Sequence, residues 1–94
     1  MLTYKSSYKP SEEIWIGTVL DFPGTIAYGD SLDHARKNLA LALRDMAETN
    51  LLQGEPLPIP DPARSDPDAD IEEPIHLVLQ AGQQISTTVG VTTS

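Results

Sequence analysis

From Leu2 to Tyr8 the chain alternates, with Leu2, Tyr4, Ser6 and Tyr8 on one side and Thr3, Lys5 and Ser7 on the other. A period of two is what a strand with one buried face imposes. Lys9-Pro10-Ser11-Glu12 supplies a turn, and Ile14 to Leu20 reads as a returning strand that is apolar on both sides, Ile14, Ile16 and Leu20 on one and Trp15 and Val19 on the other. Phe22-Pro23-Gly24 suits a tight turn, because proline presets φ near −65° and glycine accepts positive φ. Thr25 to Tyr28 then completes a third strand. At Leu32 the period changes: Leu32, Ala35, Leu39, Ala42, Leu43 and Met46 recur at three and four residues and form one helical stripe. Asp30 or Ser31 is placed to cap it, and Gln53-Gly54 followed by Pro56 to stop it, which predicts a helix from Leu32 to about Leu52. Ile75 to Gln80 is a last, short β-prone run.

These elements predict an α+β fold, a β-β-β-α-β two-layer sandwich. It comprises a three-stranded antiparallel meander, one helix, and a fourth strand docked parallel to the first through a right-handed crossover. One helix covers only one face of such a sheet. With Ile14 and Ile16 assigned to the helix side, Trp15 and Val19 fall on the open face, and Ile75, Leu77 and Leu79 lie in an edge strand. These five are expected at an interface with a partner or a second copy, so a homodimer or higher homo-oligomer is anticipated.

Ninety-four residues make one domain, expected over residues 1–80 with a flexible polar tail at 81–94. The formal charge of −8 argues against a phosphate-binding surface, because nucleic-acid affinity is built from clustered Lys and Arg; a basic protein partner fits better. Cysteine is absent, which excludes a disulfide framework and thiolate metal sites. No apolar run approaches the ~18 residues of a membrane span, and without a signal-like start the expected location is the cytoplasm. Residues 54–94 hold seven acids against one base, and six of the eight prolines lie between Pro56 and Pro74. The segment 54–74 is therefore an extended, acidic, proline-rich loop. Its Asp66, Asp68 and Asp70 are either a solvated linker or an acidic strap that steers a basic partner.

No catalytic, cofactor or metal site emerges. A metal-dependent RNase H-type nuclease needs carboxylates in the middle of the first strand and near the end of the fourth, and neither Leu2 to Tyr8 nor Ile75 to Gln80 contains one. Asp30 and Asp33 are accounted for by helix capping and the helix dipole. His34 and His76 fall at a helix start and in a strand, without nucleophile or metal partners, and the tyrosines read as sheet aromatics.

The combined pattern of Tyr4, Ile14-Trp15-Ile16, Asp21-Phe22-Pro23-Gly24, Tyr28-Gly29-Asp30-Ser31-Leu32, Ala35, Leu39 and Gly54-Glu55-Pro56-Leu57-Pro58-Ile59-Pro60 resembles the HicB family over roughly residues 1–80. The resemblance implies an antitoxin of a type II toxin-antitoxin pair, built on a partial RNase H-like domain. Such a domain would bind and mask HicA, a small basic mRNA-cleaving toxin, and would self-associate. Two features depart from the family: Leu20 stands where many relatives have proline, and only 14 residues follow Gln80. These do not suffice for the DNA-binding module that many relatives carry, so autonomous operator binding is not expected. A metal-dependent nuclease and an orphan interaction protein without a toxin are the alternatives.

Overall fold

The computed structural model describes residues 2–79. Its elements are β1 (Leu2–Ser11), β2 (Ile14–Val19), β3 (Ile26–Gly29), α1 (Leu32–Leu52) and β4 (Ile71–Leu77). The strands form one antiparallel sheet in the order β3-β2-β1-β4, with α1 packed on one face. The α+β two-layer reading is thus realised, and the helix begins and ends where its sequence signals lie. Ser31 is the cap, its Oγ accepting from the His34 amide at 3.1 Å. Gly54, at φ 75°, reverses the chain after α1.

Tyr4, Tyr8 and Val19 of the sheet meet Ala35, Leu39, Leu43 and Ala47 of the helix in the core. The ring of Phe22, from the turn after β2, stands edge-on to Tyr4 with centroids 5.8 Å apart. Fully burying Leu39 and Leu43 stabilises the fold by about 2 kcal/mol each.

Register settles which side of β2 faces the helix, and it is the side opposite to the one expected. Tyr8 pairs with Gly17, and a Cβ on Gly17 would lie 2.8 Å from the Tyr8 ring and 3.2 Å from Leu39. Trp15, Gly17 and Val19 therefore look toward α1, and Ile14, Ile16 and Thr18 look away. The physical reason is the closeness of the helix. Gly17, Ala27 and Gly29 make the inner surface of β2 and β3 small where α1 crosses it, with Trp15 and Val19 filling the space to either side, so Ile14, Ile16, Ile26 and Tyr28 fall on the outside.

The fourth strand departs from expectation as well. It runs antiparallel to β1, with Leu2 opposite Leu77 and Tyr8 opposite Ile71, where a parallel strand was predicted. A short connection from α1 would have delivered a parallel strand. Instead the proline-rich segment first travels the length of β1: Tyr4 Oη donates to the Pro58 carbonyl, Ser7 Oγ to Asp66, and the Asp70 amide to the Tyr8 carbonyl. The chain thus enters β4 from the far end. The strand also starts at Ile71, four residues earlier than predicted, and so contains Glu72 and Glu73. Gln80 and the tail at 81–94 lie outside the described residues.

Candidate functional site

The far face of the sheet divides into two halves. Residues 57–70 form a strap whose part from Pro60 onward lies over β1 and β4. Leu57 packs on the helix-side core, and the chain then crosses beside Asp21, just past the end of β2. The Asp21 carboxylate, with a side chain only 4% exposed, forms an ion pair with Arg64, Nε at 2.7 Å, and accepts from the Asp61 amide at 2.8 Å. On the far face, Lys5 Nζ donates to the carbonyls of Pro62 (2.9 Å) and Arg64 (2.7 Å). Beyond these, Glu72 accepts from the Ser65 hydroxyl and the Asp66 amide. Those two bonds, followed by the nearby Lys5 ammonium, hold the Glu72 carboxyl below its ordinary range. The strap leaves an open cavity of about 530 Å³ against the sheet, bordered by Thr3, Lys5, Asp21, Pro60, Pro62 and Pro74. Lys5 and Asp21 on its wall are already paired within the chain, so this cavity offers a ligand no free charge from either.

The other half of the far face, over β2 and β3, has no such roof. Ile16 lies directly opposite Tyr28, and Thr18 opposite Ile26. Ile26 is 47% exposed and Tyr28 57%, and Ile14 continues the patch along β2. Glu12 and Glu13 precede Ile14, Asp30 follows Tyr28, and all three are exposed.

The expected interface residues are distributed unevenly. Val19, Ile75 and Leu77 are core residues, and Trp15 is half-buried against the same core; their side chains are taken up within the single chain rather than presented on an open face. Leu79, 40% exposed, lines a groove with Leu2, Leu77 and Val78 at the foot of β4. Asp66 is part of the strap's own bonding, accepting from Ser7 and from the Asp68 amide, whereas the side chains of Asp68 and Asp70 are exposed. Asp66, through its side chain, and Asp70, through its amide, tie this segment to β1. Sequence reasoning missed Ile14, Ile16, Ile26 and Tyr28 as the open patch. The signal was present in Gly17, Ala27 and Gly29, whose small size marks the helix side.

The absence of acids from the fourth strand also needs correction, since β4 carries Glu72 and Glu73. Glu73 is held by Arg36 through two bonds of 2.9 and 3.0 Å, and Glu72 lies 3.8 Å from Lys5. Among the described residues no cluster of three or more His, Asp or Glu side chains is placed to hold a metal ion, and no helix is long and apolar enough to cross a membrane.

No family model and no curated protein matches the sequence. Solved structures do match. The N-terminal domain of the antitoxin HicB from Burkholderia pseudomallei superposes with a TM-score of 0.65 at 20% identity, over 83% of this chain and 100% of that domain. The fold is that of a HicB N-terminal domain. A structure of the B. pseudomallei HicB antitoxin gives 0.71 at 21% identity, over 100% of this chain and 73% of that one. A chain of a HicA3–HicB3 toxin-antitoxin complex gives 0.63 at 23% identity, over 80% of this chain and 96% of that one. The HicB-like fold accounts for the meander, the single helix and the returning strand together.

Proposed function

We propose that this chain is a non-catalytic antitoxin domain that binds a small, basic, HicA-like ribonuclease in the cytoplasm and masks its RNA-cleaving surface. The observation that carries this reading is the match of the whole HicB N-terminal domain to this chain, and a net charge of −8 suits a basic partner. A charge of that sign disfavours direct binding to nucleic acid and favours fast encounter with a positive protein. The nuclease alternative is less well supported, because β1 lacks a carboxylate in its middle and both acids of β4 face cations of the chain itself.

The experiment is co-expression and pull-down with the product of the adjacent open reading frame, followed by RNA cleavage by that product with and without this chain in stoichiometric amount. Stable co-purification and suppressed cleavage are expected. A neighbouring ribonuclease that cleaves RNA undiminished in the presence of the chain defeats the reading. Self-association belongs to the same reading, with the groove at Leu79 and Val78 as its seat; Leu79→Asp should then shift light scattering toward monomer.

A further inference from the structure

We infer that the partner docks on the open half of the far sheet face, the patch of Ile14, Ile16, Ile26 and Tyr28, and not by adding a strand to either edge of the sheet. The inference rests on the antitoxin reading above and specifies its binding surface.

The edges come first, because an uncovered edge strand is the commonest template for a partner. The Leu20 amide donates to the Lys5 carbonyl, so Lys5 points its backbone groups at β2, and its neighbours Tyr4 and Ser6 point theirs at β4. Pro74 stands opposite Lys5 and therefore directs its nitrogen, which has no hydrogen, to the free edge. A strand laid along β4 would find carbonyls but a missing donor at the middle of the ladder. The opposite edge, β3, is four residues long. Its backbone direction follows from the Val19 amide donating to the Thr25 carbonyl: Ala27 and Gly29 bond to β2, and Ile26 and Tyr28 face outward. The Tyr28 carbonyl is already taken, accepting from Asn38 Nδ2 of α1 at 2.7 Å. Both edges are thus blunted by the chain itself.

The face remains. Its β1–β4 half is crossed by the strap, which is pinned at Asp21, Lys5 and Ser7, and the positions left exposed there, Thr3, Pro74 and His76, form no apolar cluster. The β2–β3 half carries an aromatic ring and three isoleucines in adjacent register. An apolar centre with a charged rim is the usual anatomy of a protein interface. The rim decides the occupant. Glu12, Glu13 and Asp30 border the patch, the acidic strap stands across β1, and of the two lysines on this face Lys5 is bonded to the strap while Lys9 lies opposite Ile16. A second copy would bring the same excess of acids against these, whereas a basic polypeptide would complement them.

The test is the affinity of the purified product of the adjacent open reading frame for the full chain and three variants, by titration calorimetry, with melting temperature as a check on the fold. Ile26→Ser combined with Tyr28→Ala should weaken binding at least thirtyfold, and Ile14→Ser alone severalfold, because these side chains are exposed and outside the core. His76→Pro removes the outward amide that follows Pro74, leaving that of Glu72 alone on the β4 edge, and should leave affinity within twofold. Binding that survives the face variants, or is lost with His76→Pro in a chain that still melts normally, overturns this inference while the antitoxin reading stands. A dimer of the chain alone that Ile26→Ser and Tyr28→Ala dissociate overturns it too, in favour of a second copy. No binding by the unaltered chain defeats the antitoxin reading, and the docking surface with it.

Discussion

At Gly17 and Gly29 the absence of a side chain sets the distance between the two layers. A methyl on Gly17 meets the Tyr8 ring at 2.8 Å, and one on Gly29 meets the backbone carbon of His34 at 2.7 Å. A buried ring can shift by tenths of an ångström, but a helix backbone cannot do so alone. Gly17→Ala should therefore cost about 1–3 kcal/mol, in the range of overpacked cores, and Gly29→Ala more, read as a lower urea midpoint at unchanged slope. The buried phenols provide a second test at this scale. Burial holds Tyr4 and Tyr8 above the ordinary phenol range, and the Asp21 carboxylate raises Tyr4 further. A phenol whose folded pKa is raised contributes stability that is fully present below its unfolded value near 10 and is lost as pH rises through the folded value. Alkaline titration followed at 295 nm should show a delayed phase that coincides with unfolding, diminished in Tyr4→Phe and Tyr8→Phe.

Among the elements, the strap carries the information least accessible from sequence. The helix was legible to the residue because Ser31, the apolar stripe and Gln53-Gly54 are local signals, and the three meander strands followed from alternation and turns, except that Lys9, Pro10 and Ser11, read as turn, extend β1 by pairing with β2, and the chain reverses at Glu12 and Glu13. The direction of β4 was not, because it depends on where a proline-rich segment without periodicity runs. That path is fixed by tertiary pairs such as Asp21 with Arg64 and Lys5 with the Pro62 carbonyl. The open patch was missed for a related reason: alternation in β2 identifies two apolar faces but not which one the helix occupies, and only the pairing of Tyr8 with Gly17 decides it. Asp21→Ala removes the ion-pair partner of Arg64 and the acceptor of the Asp61 amide, at a cost of about 2 kcal/mol. Faster hydrogen exchange at Asp61 and earlier tryptic cleavage after Arg64 are expected; cleavage at the unaltered rate would show that the strap holds without this clasp.

For the whole molecule, the excess of acids predicts kinetics. Association with a basic partner should slow as salt is raised from about 0.05 to 0.3 M while dissociation changes little, since long-range attraction acts on encounter and is screened beyond a Debye length. Stopped-flow rates at several ionic strengths measure this directly, and Glu12→Gln with Glu13→Gln should flatten the dependence. The ladder joining Leu2 to Leu77 has a different consequence, for the order in which the protein comes into being. β1 is an interior strand of the finished sheet, yet its neighbour β4 is made after every other described element. Until that segment emerges, the nascent chain holds Tyr4 and an unpaired flank of β1 exposed to proteases and to other nascent chains. A ribosome that stalls before residue 71 would leave a fragment lacking β4, so proteolysis would fall on incomplete chains before it reached finished ones.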